Sequence, residues 1–293
     1  MFAVLPSQTT SLYRFGVAIV AVSSTINSVG ALFVRNVEFA SEWQIIMLRA
    51  SSLAASLFVV FALQMRGRVV QGFVDAGRWA LFGAVFVAIA NIGIIHALQN
   101  TTVANTLFIL SSAPLLTAVL ARFFLGETVS VTTWIAMSVA VSGIALMVSD
   151  SFGAGTAFGN AMALLTTCAF SCFMVVLRRG RRANMLPAAI LGATLSATIS
   201  LVVSGFDFAV TSHDLVLCVL WGGGISCLVH AMFTLGSRYV PGAELALLVL
   251  LEFVLGPVWV WIFIDEVPTR MTLIGGGIVL VAVASRALLL ARR

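Results

Sequence analysis

Ten stretches of apolar residues divide the chain, and polar residues collect in the short gaps between them. The runs cover Leu12 to Val34, Trp43 to Leu63, Trp79 to Leu98, Val103 to Leu125 and Val131 to Val148. A second set follows at Ala157 to Leu177, Leu186 to Phe206, Leu215 to Leu235, Ala243 to Ile264 and Met271 to Leu290. A spanning helix needs about 20 apolar residues, so the pattern predicts an all-α integral membrane protein with ten transmembrane helices. The first run is longer than the roughly 7–15 apolar residues of a signal peptide, and no small-residue cleavage site ends it. It is expected to remain as a span.

Composition narrows the class further. Only 9% of the 293 residues are charged and 61% are hydrophobic, whereas a soluble domain carries about 25% charged residues. All 16 basic residues are arginine, and the net charge is +5. They lie singly or in short clusters between apolar runs, so the charge does not imply nucleic acid. Their distribution predicts orientation instead. Arg14, Arg66, Arg68, Arg78, Arg122, Arg178, Arg179, Arg181, Arg182, Arg238, Arg286, Arg292 and Arg293 fall on one side, and only Arg35 and Arg270 on the other. Both termini are therefore expected in the cytoplasm. The cysteines Cys168, Cys172, Cys218 and Cys227 sit within apolar runs with no CxxC pair and read as packing residues.

The chain also repeats itself. An offset of 143 positions aligns Phe15-Gly16 with Phe158-Gly159, Ser28 with Ser171, Arg35 with Arg178 and Leu48 with Leu191. Near the fourth helix of each half the offset becomes 139 and pairs Gly126-Glu127 with Asp265-Glu266. The chain thus divides into a first five-helix repeat at 1–150 and a second at 151–293. An odd number of spans per repeat makes the second half cross the membrane in the opposite sense. The expectation is two inverted five-helix repeats, an architecture suited to alternating access.

Five plus five helices, with an acidic residue closing the fourth helix of each half (FFLGE at Phe123 to Glu127, FIDE at Phe263 to Glu266), resemble the EamA-type drug/metabolite transporter superfamily. Within it the chain is similar to the YddG-like bacterial amino-acid exporters. The family often has a Glu-Pro pair in its ninth helix, where this chain reads Glu252-Phe253 with Pro257 downstream. The resemblance implies a secondary transporter in the bacterial inner membrane that exports small metabolites, amino acids foremost.

Several residues are candidates for a substrate site. Ser24 and Ser28 in the first helix match Thr167 and Ser171 in the sixth. Such hydroxyls either let helices pack closely or line a polar cavity with Asn27. Asn91 is an interhelical tie or a substrate contact; Asn105, nearer the water, is a tie or simply solvated. His96 and His230 occupy late positions in the third and eighth helices, as packing residues or in gating and carboxylate binding. Arg49 snorkels outward or pairs with Glu38 or Glu42, or else forms an anion site. Trp43, Trp79 and Trp134 fit interfacial belts; of Trp259 and Trp261, one is expected to face the cavity and the other lipid. Pro114 and Pro257 are expected to kink their helices, as hinges or as static bends.

Glu252 is the carboxylate placed nearest the middle of a span. An intramembrane acid is costly to keep charged and is functional by default: proton coupling, binding of a substrate ammonium group and a structural hydrogen bond are its three possible roles. No HExxH, GxSxG or phosphate-loop signature is present, and the runs Gly222 to Gly224 and Gly275 to Gly277 lack the strand and helix context of a nucleotide site. No enzymatic activity, metal or cofactor is expected. The expected partners are a small-molecule substrate and the lipid bilayer, with no nucleic acid, and a monomer is expected. A passive channel and a non-transporting scaffold are the alternatives to a carrier.

Overall fold

Helix boundaries follow the polar gaps of the sequence. The computed structural model describes residues 6–101, 106, 109–147, 149, 156–180, 183–264 and 270–291. The first helix, α1 (Pro6–Asn27), breaks at Ser28 and Val29 and resumes as the short α2 (Gly30–Asn36). Next comes α3 (Glu42–Met65), which opens on a reciprocal cap. The Ser41 hydroxyl accepts from the Gln44 amide, and the Gln44 side chain accepts from the Ser41 amide. It closes at Arg66 and Gly67, both left-handed.

The fourth helix, α4 (Val69–Asn100), begins ten residues before the expected Trp79. Gly77, at φ 55° and ψ −152°, separates this leading turn from the span proper. The half ends with α5 (Ala113–Leu125) and α6 (Val131–Met147). The second half comprises α7 (Ala157–Arg179), α8 (Leu186–Val203), α9 (Ser212–Gly236), α10 (Gly242–Ile264) and α11 (Arg270–Ala291). Within α9, Leu220–Ser226 is π-helical. Among the described residues, α3, α4, α7, α8 and α9 are long and apolar enough to cross a membrane. Large apolar side chains such as Phe123, Phe124, Leu63 and Val202 are exposed, as expected of a surface that meets lipid rather than water.

The helices pack across the two halves more than within them. The helix α4 lies on α7 and α8, while α9 lies on α1 and α3. Further contacts join α3 to α8, α6 to α11, α5 to α7, α1 to α10 and α5 to α10. Small residues make the closest approaches: a Cβ on Gly192 of α8 would lie 2.6 Å from the Val87 Cβ of α4, so only glycine fits there.

Pro114 and Pro257 occupy different places in their helices. Pro114 does not kink a continuous helix; a turn at Ser111 and Ser112 ends the preceding segment, and Pro114 sits in the first turn of α5. Its missing amide is harmless there, because first-turn amides have no intrahelical acceptor. The helix α10 continues through Pro257 without interruption. Of the cysteines, Cys218 and Cys227 are buried while Cys168 is exposed on the bundle surface, and all four are free.

A carboxylate fastens one end of the bundle. Asp214, fully buried at the start of α9, accepts backbone N–H bonds from Glu38, Phe39 and Ala40 at 3.0–3.1 Å. These amides belong to the connection between α2 and α3, so the bond set ties the first half to the second. Hydrogen bonds to a charged acceptor each contribute about 1.5–3 kcal/mol. Asp214→Ala is therefore expected to destabilise the protein by at least about 2 kcal/mol, read as a lowered unfolding midpoint in detergent, whereas Asp207→Ala in the exposed connection is expected to leave that midpoint within a degree or two.

Candidate functional site

A cavity of about 100 Å³ opens between α1, α7, α9 and α10. Its polar wall is Ser23, Ser24 and Asn27 from α1, His230 from α9 and Glu252 from α10. The remainder is apolar, with Phe170, Phe173 and Phe233 the bulkiest members. Asn27 hydrogen-bonds the Glu252 carboxyl. His230 Nδ1 lies 2.8 Å from the Ser226 carbonyl, one turn earlier in α9. Four residues singled out by sequence, Ser24, Asn27, His230 and Glu252, thus meet in one space.

Arg49 lies beside this space. It does not snorkel to the surface, and it does not pair with Glu38 or Glu42. Glu42 is engaged elsewhere, 2.5 Å from His96 Nδ1 and 3.0 Å from Asn100 Nδ2. The Arg49 guanidinium instead turns inward and stacks 4.1 Å from the Trp221 ring centroid. Its Nη2 makes one long contact, 3.5 Å, to the Ser226 hydroxyl. Its Nε is buried without a hydrogen-bond partner. Arg49 interacts electrostatically with both His230 and Glu252, yet no ion pair joins it to a carboxylate among the described residues.

The π-helical turn explains this placement. A π segment is wider than an α-helix and is found disproportionately at functional sites. It presents Trp221 beneath the guanidinium and Ser226 beside it. Gly222 makes the approach possible, because a Cβ there would collide with the Arg49 backbone carbonyl and the Ser52 hydroxyl. The glycine run was visible in the sequence; its meaning, a close crossing of α9 over α3, was not. Ser23, Phe170, Phe173 and Phe233 carried no sequence signal that separated them from packing residues.

The other candidates lie outside the cavity lining. Ser28 accepts from Trp259 Nε1 at 2.6 Å and donates to the Thr25 carbonyl, so both side chains fasten α1 to α10. Trp261 is exposed. Thr167 donates to Ala163 within α7, and Ser171 donates to the Ala113 carbonyl at the break before α5. The second hydroxyls of the two pairs, Ser28 and Ser171, are therefore bound differently, and the pairs do not bond one another. Asn91 is buried with its Nδ2 unpartnered and does not line the cavity. His96 sits against Trp43, with ring centroids 4.5 Å apart. Asn105, Asp265 and Glu266 lie outside the described residues, and the side chain of Pro257 is likewise not described. Glu127, by contrast, receives Arg178 Nη2 at 2.9 Å, and Arg178 also donates to the Ser237 carbonyl.

Residues 14–149 match the EamA-like transporter family. It is a family of membrane transporters within the drug/metabolite transporter superfamily, and the chain is accordingly read as a multi-pass membrane protein. No curated protein matches the chain. A solved crystal structure, titled only as that of a protein, is similar over 95% of this chain and 98% of its own, with a TM-score of 0.80 and 18% identity. At that identity the likeness speaks to the fold of the whole chain and to nothing finer.

Two substitutions separate cavity wall from packing. Ser24→Leu adds bulk to a space of about 100 Å³ and is expected to abolish flux in proteoliposomes while the protein remains folded. Ser171→Leu places the same bulk at a fully buried position against Ala113, where overpacking costs about 1–3 kcal/mol. It is expected to lower the yield of folded protein. The pair is read by size-exclusion recovery alongside flux.

Proposed function

We propose that the chain is a secondary carrier that moves small metabolites, amino acids foremost, outward across the bacterial inner membrane by alternating access. The observation that carries this reading is the cavity itself: one small space, walled by helices of both halves, in which a carboxylate, an amide, a histidine and two serines stand among phenylalanines and valines. Such a space, set between the helices of a membrane bundle, suits a molecule that is bound and released rather than a continuous pore.

The helix packing supports an inverted repeat. Exchanging the halves turns the α4–α7 contact into α9–α1, α4–α8 into α9–α3, and α5–α7 into α10–α1. The contacts α3–α8, α5–α10 and α6–α11 map onto themselves. A bundle whose contacts survive this exchange has two related conformations available, one open to each side, because either half can take the other's part. The first repeat is then 1–150 and the second 151–293, with ten spans and both termini cytoplasmic. The cycle draws on the substrate gradient or a coupled ion.

Glu252 suits a substrate ammonium group. It is a carboxylate held by Asn27 at the cavity wall, and the neighbouring phenylalanines suit an apolar side chain. Counterflow of a labelled amino acid into proteoliposomes tests the reading. Saturable counterflow is the expected result; flux proportional to concentration without saturation indicates a channel, and no flux of any amino acid contradicts the proposal. Glu252→Gln is expected to raise the half-saturation concentration at least about tenfold, the effect of removing a charged hydrogen-bond partner, with the unfolding midpoint retained. Loss of the pH dependence of flux at unchanged half-saturation assigns Glu252 to ion coupling instead.

A further inference from the structure

The cavity accounts for Glu252 but leaves Arg49 unexplained. A guanidinium inside a membrane bundle ordinarily finds a carboxylate, a ladder of carbonyls or water. Arg49 has one aromatic face, one long contact to a hydroxyl and a buried Nε with no partner. The donors of a guanidinium form a rigid fork that matches a carboxylate with two parallel hydrogen bonds, and stacking on Trp221 fixes the plane of that fork.

We infer that Arg49, seated on Trp221 and flanked by Ser226, is the subsite for a carboxylate of the transported molecule. The inference deepens the carrier reading and rests on it for the cavity. Ser226 links the two regions: its hydroxyl contacts Arg49, and its carbonyl holds the cavity histidine His230. Arg49 and Glu252 feel each other electrostatically without forming an ion pair. A molecule that carries an ammonium and a carboxylate together supplies a partner of the right sign to each group and leaves neither unmatched. An amine leaves Arg49 without an anion, and an organic acid leaves Glu252 without a cation. Unpaired buried charge is what discriminates strongly between close analogues. The phenylalanines Phe170, Phe173 and Phe233 then receive an apolar side chain. The class selected is a zwitterionic α-amino acid with an apolar side chain.

The test compares phenylalanine with its two half-analogues, phenethylamine, which lacks the carboxylate, and 3-phenylpropionate, which lacks the amine. Affinity for each is taken from the shift of the unfolding midpoint of purified protein in detergent, a measurement that also reports whether each variant is folded. The wild type is expected to bind phenylalanine at least about tenfold more tightly than either analogue. Arg49→Gln is expected to lose that factor for phenylalanine and to hold phenethylamine within about twofold. Arg49→Lys, which keeps the charge but not the fork or the stack, is expected to weaken phenylalanine and spare phenethylamine, and serves if the glutamine variant does not fold. Equal affinity of the wild type for the three ligands, no binding of phenylalanine at all, or parallel loss of phenylalanine and phenethylamine in the Arg49 variants overturns the subsite. Counterflow measured on the same preparations separates the two readings. Binding in the expected order without saturable counterflow overturns the carrier and leaves the subsite; saturable counterflow with Arg49→Gln ranking the ligands as the wild type does overturns the subsite alone.

Discussion

Arg49 and Glu252 place a guanidinium and a carboxyl group inside a bundle whose remaining side chains are overwhelmingly apolar, and among the described residues no ion pair joins the two. On insertion scales, a charged side chain at the centre of a membrane helix costs about 2.5–3.5 kcal/mol. A cation over an aromatic ring recovers about 0.5–2 kcal/mol, and a 3.5 Å contact to Ser226 recovers little, because it is longer than a normal hydrogen bond. The remainder is an unsatisfied demand for an anion at Arg49, matched by a demand for a cation at Glu252. The surrounding architecture serves to hold these two demands apart.

Three local devices do the holding. The π-helical turn at Leu220–Ser226 lets α9 pass close over α3 through Gly222 and sets Trp221 against the guanidinium. At the start of the same helix, Asp214 binds the backbone between α2 and α3, which fixes α9 relative to the first half. Ser28 and Trp259 fasten α1 to α10 close to the cavity residues Asn27 and Glu252. An ion pair, Arg178 with Glu127, also joins the end of α7 to the end of α5, and Arg178 reaches Ser237 beyond α9. Arg178 and Glu127 align in sequence with Arg35 and Glu266 of the opposite halves.

The helices were legible in the sequence because a spanning segment must be both long and apolar, and the polar gaps marked most of their ends to within a few residues, the start of α4 ten residues early being the exception. The break at Ser111 and Ser112 was not, since a proline inside an apolar run looks the same whether it bends a helix or begins one. The site was legible where polarity is rare. Asn27, His230 and Glu252 stand out from their runs for that reason, and they do meet. His96 stood out equally, but Glu42 on the neighbouring helix takes it up, a pairing across 54 positions that no local pattern carries. Arg49 was visible and misdirected: residues close in sequence suggested Glu38 and Glu42 as partners, whereas the decisive neighbours, Trp221 and Ser226, lie in the other half. The aromatic wall was illegible because phenylalanine in a span packs against lipid, protein or substrate with the same sequence signature.

The central claim is that the two halves exchange roles around this cavity, and distances across its two ends test it most directly. In a background with the four cysteines replaced, spin labels at Leu12 and Arg179 report the arginine-rich end of α1 and α7, and labels at Asn36 and Phe158 report the opposite end; all four positions are exposed. Alternating access predicts that conditions which lengthen one distance shorten the other, with two populations at each end whose proportions change when an amino acid is added. A single unchanging distance at both ends, or a lengthening of both together, contradicts it.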